Sequence, residues 1–340
     1  MDYGNSLNVT ADTTGAKGIT AKIDGKDAKV DGFTIEIPVL NAGSYTLTVI
    51  TIPEENYNAV SENATITVRK LNSTLAVNNV TFDYNSIGST AVTFTGATGV
   101  NVTVINQYQA NVTVNGTNIT ISNLNAGKYT LQVTTIAEDN YNPITKTATI
   151  TVNKLKTTLN TKSITTVYNV NKNLVITLKD SKGNALNGVN ITVQLKNTKT
   201  YTTKNGQIKV STKGLAPNAY TAKITFKGNT NYEKTSKNTV KVTVKKATPK
   251  LTAKKKTFKR AVKTKKYSIA LKTNQNKAMK GVKVTLKVNK KTYSAKTNSK
   301  GKATFKITKL TKKGKFAATI AYKGNAYYNK LSKKVQITVK

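Results

Sequence analysis

The sequence predicts an all-β chain built as a tandem array of β-sandwich domains. Three observations carry this. An aromatic residue opening a strand recurs at Tyr45, Tyr129, Tyr220 and Phe316, at spacings of 84, 91 and 96 residues. A second aromatic follows each twelve residues later, at Tyr57, Tyr141, Tyr232 and Tyr328, before an alternating strand ending at Val68, Val152, Val244 or Val339. A fixed internal period decides architecture before any local pattern does. The other two observations are period-two alternation of Val, Ile and Thr, and Gly-containing turns at regular intervals. No stretch has a convincing 3.6-residue period, so the chemistry is that of half-buried antiparallel strands.

Taken in order, the repeats span 1–70, 71–154, 155–246 and 247–340. Each is long enough to bury its own core. Repeat one lines up Met1-Asp2-Tyr3-Gly4 with Phe82-Asp83-Tyr84-Asn85 of repeat two. It has no counterpart of Ser73-Thr74-Leu75-Ala76-Val77, so the chain is expected to be a fragment whose first strand lies upstream. The joints Val68-Arg69-Lys70-Leu71-Asn72, Val152-Asn153-Lys154-Leu155-Lys156 and Val244-Lys245-Lys246-Ala247-Thr248-Pro249 are not Gly/Ser-rich, unlike flexible linkers. A stiff, beaded rod about 140 Å long is the expectation, at roughly 3.3 Å per strand residue.

Within a repeat, Gly32, Gly116, Gly206 and Gly301 precede the opening aromatic. Asp31-Gly32, Asn115-Gly116 and Asn205-Gly206 are dipeptides that tolerate positive φ in tight hairpins. Tyr45 and Tyr129 follow Leu40 and Leu124 by five residues, the spacing of a tyrosine corner, in which the hydroxyl bonds back to the chain ahead of the strand. That reading is preferred over a ligand-stacking tyrosine. The second aromatic is expected to plug the last interstrand loop onto the core.

These residues resemble something known. Gly43-Ser44-Tyr45-Thr46-Leu47, Asn56-Tyr57 and Ala64-Thr65-Ile66-Thr67-Val68 look like bacterial immunoglobulin-like repeats. So do Lys227-Gly228-Asn229 with Tyr232, and Lys323-Gly324-Asn325 with Tyr328. With Asn184–Val189, Lys277–Val282 and a Lys-rich final repeat, the whole chain resembles the adhesin-like surface proteins of methanogenic archaea. The resemblance implies immunoglobulin-like sandwiches, a stalk or adhesin role, no catalytic residues and an extracellular, cell-surface or cell-wall location.

Composition excludes several chemistries. With no Cys and no His, disulfides, thiolate metal sites and histidine catalysis are ruled out. No apolar run approaches the roughly 20 residues of a membrane helix. Asp24, Asp27 and Asp31 lack the spacing of a helix-loop-helix calcium site, and Asp24-Gly25 and Asp31-Gly32 read as turns. A Lys–Asn isopeptide crosslink needs a buried carboxyl catalyst. Repeat four has none, and repeat three has only Asp180 and Glu233. No cofactor is implied, and the chain is expected not to be an enzyme.

Charge is the most informative feature. Net charge runs −3, 0, +15 and +29 through the four repeats, and the last has 29 Lys/Arg with no acidic residue. Such asymmetry points to an anionic partner. The alternatives are an AT-rich genome, which would supply Glu as well, and lysines that only keep sheet edges from pairing. The densest cluster is Lys254, Lys255, Lys256, Lys259, Arg260, Lys263, Lys265 and Lys266. Arg69 and Arg260 are the only arginines, whereas specific nucleic-acid readers favour Arg forks and stacking aromatics. Lysine acts as a point charge without fixed geometry. An anionic cell-wall polymer or acidic polysaccharide is therefore the expected partner. Nonspecific nucleic-acid binding and an uncharged-carbohydrate-binding array are the alternatives.

Asn-X-Ser/Thr sequons begin at Asn8, Asn63, Asn72, Asn79, Asn101, Asn111, Asn115, Asn118 and Asn190. On an exported protein these are glycosylation acceptors. An Asn- and Thr-rich composition also makes sequons by chance. Eight of the nine fall in the first two repeats and none in the last.

Overall fold

The computed structural model describes residues 1–340 and contains strands and no helix. No helix long and apolar enough to cross a membrane is therefore present. The chain falls into two compact units, Met1–Leu155 and Lys156–Lys340. Each unit holds two separate hydrophobic cores. Every core is sandwiched between two sheets, and the folds are immunoglobulin-like.

The second sandwich of the first unit shows the plan. Strands Asn111–Asn115, Asn118–Ser122, Gly88–Thr95 and Thr74–Val77 form one sheet. Val80–Asp83, Thr145–Asn153, Gly127–Thr135 and Val100–Val104 form the other. The chain enters twice: Thr74–Val77 pairs antiparallel with Val92–Thr95, then Val80–Asp83 crosses to run parallel to Ile150–Asn153. Alternation dictates what is buried. Ile119, Ile121, Leu131, Val133 and Ile150 are fully enclosed, while the intervening Thr and Asn face out. Each such side chain contributes roughly 1.5–3 kcal/mol of burial.

Repeat one follows this plan with a gap. Asp2 bridges Arg69 in parallel, as Asp83 pairs with Asn153. Leu7–Thr10 pairs with Thr34–Ile37, but the following residues, 11–14, are not in a strand. The equivalent Val92–Thr95 is a strand because Thr74–Val77 lies beside it.

In the second unit the hairpin strand changes sheets. Thr198–Thr202 pairs with Asn190–Gln194, and Lys291–Lys296 with Lys283–Val288, each extending the larger sheet to five strands. In repeat two the corresponding strand, Asn111–Asn115, lies in the opposite sheet. Connection length decides this. Turns of two or three residues hold a hairpin in one sheet, whereas the longer 105–110 segment reaches the other layer.

Turn chemistry differs in one respect from the sequence reading. Asp31 pairs with Thr34 and Asn115 with Asn118, so the central residues are Gly32-Phe33 and Gly116-Thr117. Only the glycines have positive φ (61° and 58°), which makes these type II′ turns rather than Asx-Gly type I′. Asn205-Gly206, with φ of 48° and 66°, is the type I′ case.

The tyrosine corners are present. The hydroxyls of Tyr45, Tyr129 and Tyr220 donate to the carbonyls of Asn41, Asn125 and Ala216 at 2.8, 2.7 and 2.9 Å. Phe316 has no hydroxyl and makes no such bond; elsewhere in its repeat the Lys309 N–H donates to the Tyr293 hydroxyl at 3.0 Å.

The second aromatic does more than plug its own loop. An added Cβ on Gly96 would lie 2.3 Å from the Tyr141 ring, so only glycine seats it. The same Tyr141 meets Tyr3 of repeat one edge-to-face at 5.7 Å. Asn140 fixes this joint by accepting from Ala42 N–H (2.7 Å) and donating to Asn41 Oδ1 (3.0 Å). Leu71 and Ser73 donate to the Asn140 and Asn142 carbonyls. The second unit repeats the device, with Tyr168 against Tyr327 at 4.8 Å and Tyr328 at 5.7 Å. Asn329 donates across that joint to the Lys246 carbonyl at 3.3 Å and, within its own repeat, to Thr248 Oγ1 at 3.1 Å.

Candidate anion-binding surface

Sheet register sets where the charges of residues 247–340 lie. In the strand Lys265–Lys272, Tyr267, Ile269 and Leu271 point into the core, so Lys266 and Lys272 point out. Lys302 and Lys306 alternate outward in the same way around Ala303, Phe305 and Ile307. Antiparallel pairing then sets Lys266 directly opposite Lys306, and Lys250 opposite Lys272. On the other sheet Lys283 stands opposite Lys296. Directly opposed like charges are unfavourable in a sheet.

No side-chain carboxylate in residues 247–340 offsets them, and Lys250 Nζ alone among the six donates to a neutral side chain, Asn276 Oδ1, at 2.8 Å. The salt bridges of the chain are Lys22–Asp27 (3.7 Å) and Lys29–Glu36 (2.6 Å), both in repeat one. The second of these raises the exposed Lys29 ammonium above its usual range, through the hydrogen bond and charge of Glu36. The carboxylates of the second unit are Asp180 and Glu233. Asp180 is buried and caps its own turn, accepting from the N–H groups of Lys182 and Asn184 and from the Asn184 side chain. Asp24 likewise serves a turn by accepting the Thr46 N–H at 2.7 Å.

Of the 29 Lys and Arg residues in 247–340, all are exposed but one. The exception corrects the sequence reading. Lys265 is 1 % exposed, and its Nζ donates to the carbonyl of Val262 at 2.7 Å. A second contact reaches the Arg260 carbonyl at 3.5 Å. It holds the 260–262 turn from inside and is turned away from any external polymer. The signal was in the sequence: Lys265 is in phase with Tyr267, Ile269 and Leu271.

The remaining members, Lys254, Lys255, Lys256, Lys259, Arg260, Lys263 and Lys266, are exposed around the strand Lys256–Phe258. That strand runs parallel to Leu331–Val339, and the Arg260 N–H donates to the Lys340 carbonyl at 2.7 Å, which adds Lys340 to the group. Lys256 Nζ donates to the Lys266 carbonyl (3.1 Å) and lies 5.1 Å from the centre of the Phe258 ring. Through the Lys266–Lys306 pair the loop cluster continues onto the open sheet face. Sequence reasoning missed this continuation, because register depends on which strands meet. Tyr267, whose hydroxyl donates to the Lys254 carbonyl at 2.8 Å, anchors the base, and burial pushes its ionisation up.

The cations are spread over both sheets rather than gathered in one pocket. The surface is a field of exposed cations, and beside the Lys266–Lys306 pair Ser268 and Thr304 bond across the strands at 2.8 Å. Such a field attracts any dense polyanion and selects little by shape.

No protein-family model matches the chain, and no curated protein sequence matches it. Among solved structures it is similar to a Ca2+-stabilised adhesin of an Antarctic bacterium described as binding ice. The identity is 16 %, with 98 % of this chain and 94 % of that one covered, and the TM-score is 0.27. It is also similar to immunoglobulin domains 1–5 of Sidekick-1 (11 % identity, 99 % and 78 % covered, TM-score 0.33). A third is the titin I-band fragment I67–I69 (11 % identity, 79 % and 98 % covered, TM-score 0.32). Identities and scores this low bear on neither ligand nor activity.

All nine sequon asparagines are exposed. Asn111, Asn115 and Asn118 share the outer face of one sheet, as the Asn115–Asn118 and Thr113–Thr120 pairings require. Several use their side-chain oxygen locally. Asn63 accepts from Thr48, Asn79 from the Thr149 N–H, Asn118 from Ser89 and Asn190 from Thr202. Asn72 accepts from Asn142 at 3.2 Å. Asn8 lies on Leu7–Thr10 and Asn101 on Val100–Val104.

Proposed function

We propose that this chain is part of a cell-surface, adhesin-like stalk whose Lys-rich end holds an anionic envelope polymer. Its links are four immunoglobulin-like domains, residues 1–70, 71–154, 155–246 and 247–340. One observation supports the electrostatic part above others: three directly opposed lysine pairs stand on a domain without a single side-chain carboxylate. Such pairs oppose folding, and a bound polyanion relieves them. The joints built on Tyr3–Tyr141 and Tyr168–Tyr328 support a spacer role, because neighbouring repeats are bonded rather than loosely tethered. The sequons at Asn8, Asn63, Asn72, Asn79, Asn101, Asn111, Asn115, Asn118 and Asn190 are proposed to carry glycans on the less basic repeats.

The test compares retention of the full chain, of Met1–Leu155 and of Lys156–Lys340 on immobilised acidic polysaccharide across a salt series. The full chain and Lys156–Lys340 should be retained at low salt and released as counterion competition rises. Met1–Leu155 should pass through. Equal retention of both units, or retention that survives molar salt, refutes the reading. Preference for duplex DNA over polysaccharide at matched charge favours a nonspecific nucleic-acid binder instead, and retention on an uncharged glycan favours a carbohydrate-binding array.

A further inference from the structure

Within the field of cations one place is concave. Antiparallel register puts Lys283 directly opposite Lys296, and Thr285 opposite both Ser294 and Ala321. Carried two residues further, the pairing of Thr285 with Ala321 sets Lys323 beside Lys283. Three lysines therefore stand in one row across the strands. Lys283 and Lys323 line a cavity of about 360 Å³, with Thr285 and Ala321 between them and Gly324 and Asn325 in the turn that follows. This place is far from the loop cluster. Gly314 pairs with Val339, next to Lys340, whereas Tyr322 pairs with Leu331, so the strand Gly314–Tyr322 separates the two by roughly 27 Å at 3.4 Å per residue.

Repeat three shows what the fold itself needs here. Its strand Asn190–Gln194 and turn Lys227-Gly228-Asn229 correspond to Lys283–Val288 and Lys323-Gly324-Asn325. The turns match: Gly228 and Gly324 have φ of 79° and 82°, and Asn229 and Asn325 each accept two backbone N–H groups through Oδ1. Asn190 stands where repeat four has Lys283, and it faces Thr202 where repeat four has Lys296. The Thr202 hydroxyl donates to Asn190 Oδ1 at 2.9 Å. A neutral, bonded pair thus serves the sheet, and repeat four carries two opposed charges in its place. A local rule broken without a structural return marks a functional position. The groups around the cavity are donors of one kind. Lys283 and Lys323 carry ammoniums, and Asn325, with its Oδ1 engaged, has its amide NH2 to donate.

We propose that this cavity is a subsite for one acidic sugar unit of the envelope polymer. The oxyanion of that unit, a carboxylate or sulfate, sits between the Lys283 and Lys323 ammoniums, and Lys296 adds to the local potential. The sugar ring lies over Thr285 and Ala321, which are small enough to let it approach, and the Asn325 amide donates to a ring hydroxyl. The volume is near the lower end for ligand sites and suits a single unit. Charge-assisted hydrogen bonds are the stronger kind, so the oxyanion fixes the position of the unit. The subsite rests on the anionic-polymer reading above and deepens it. The loop cluster supplies diffuse attraction, and this cavity gives the polymer one defined contact.

The probe is a fluorescently labelled uronic-acid tetrasaccharide, added to the full chain at physiological salt. Binding is read by anisotropy, and its place by hydrogen exchange. The expected result is saturable binding with new protection across residues 283–288 and 319–325. Lys283→Asn with Lys296→Thr installs the pair that repeat three already carries, so the fold is kept, and affinity should fall about tenfold or more. Lys312→Asn with Lys313→Thr removes the same charge from an exposed loop and should cost less than about twofold. Ala321→Leu changes no charge but fills the cavity, and should weaken binding about fivefold or more. A sulfated monosaccharide should compete with the probe, whereas inorganic sulfate at equal ionic strength should not. Equal losses from the two lysine pairs overturn the subsite, as does undiminished binding to the Ala321→Leu variant or displacement by inorganic sulfate. In each of those cases the full chain would still be retained on bulk acidic polysaccharide through the loop cluster. Loss of that retention in the unaltered chain refutes the wider reading instead.

Discussion

Replacing Lys306 with Glu should make the last domain more stable and a poorer polyanion binder. Lys306 stands directly opposite Lys266, both exposed on the same sheet face. With ammonium groups about 7 Å apart in water, their repulsion is about 0.6 kcal/mol. A Debye length of about 8 Å at physiological salt reduces that to about 0.3 kcal/mol. Reversing one sign removes the repulsion and adds a similar attraction. The gain is then about 0.5 kcal/mol at physiological salt and about 1 kcal/mol at low salt, within the range for opposed pairs and discounted as exposed charges require. The assay is hydrogen exchange in the full chain, followed on peptides spanning Lys265–Lys272 and Lys302–Ile307 at two salt concentrations. Exchange should slow in the variant, and molar salt should erase the difference. On acidic polysaccharide, the slope of log affinity against log salt should become shallower by about one to two, as a cationic contact is lost and an anion inserted. Faster exchange at low salt, or an unchanged slope, would refute the account of this face as an electrostatic site held at a cost in stability.

Other expectations follow from the same geometry. Lys266→Met should weaken polyanion retention, whereas Lys265→Met, an equal change in charge, should leave it unaltered because that ammonium is enclosed by Val262 and Arg260; equal losses in a salt-gradient elution would contradict the burial. Tyr129→Phe should cost about 0.5–1.5 kcal/mol in urea unfolding, since its bond to Asn125 is a single neutral contact at a partly exposed corner; no measurable loss would remove the corner as a stabilising feature. Gly96→Ala should cost about 2–4 kcal/mol, combining a left-handed backbone with collision against Tyr141, while Gly116→Ala, with open space and φ of 58°, should cost about 1 kcal/mol. Equal costs by calorimetry would show that Tyr141 yields freely.

Much of this protein is legible in the order of its residues. The aromatic period recurs once for each hydrophobic core, with Tyr45, Tyr129, Tyr220 and Phe316 each packed against one. Alternation of Val, Ile and Thr identified the strands as half-buried and antiparallel. Spacing from Leu40 and Leu124 foretold the hydroxyl bonds of Tyr45 and Tyr129. These features are local, set by period-two geometry and turn chemistry within a few residues. Even the misplaced Lys265 was recoverable from its phase. What needed the tertiary structure was everything that depends on which strands meet. The opposition of Lys266 to Lys306 follows from sheet register, which no single strand contains. Connection length chose the sheet of Thr198–Thr202, and the joint between Tyr3 and Tyr141 arises only when two repeats dock. Such pairings join residues far apart in the chain, so no local pattern of residue types contains them.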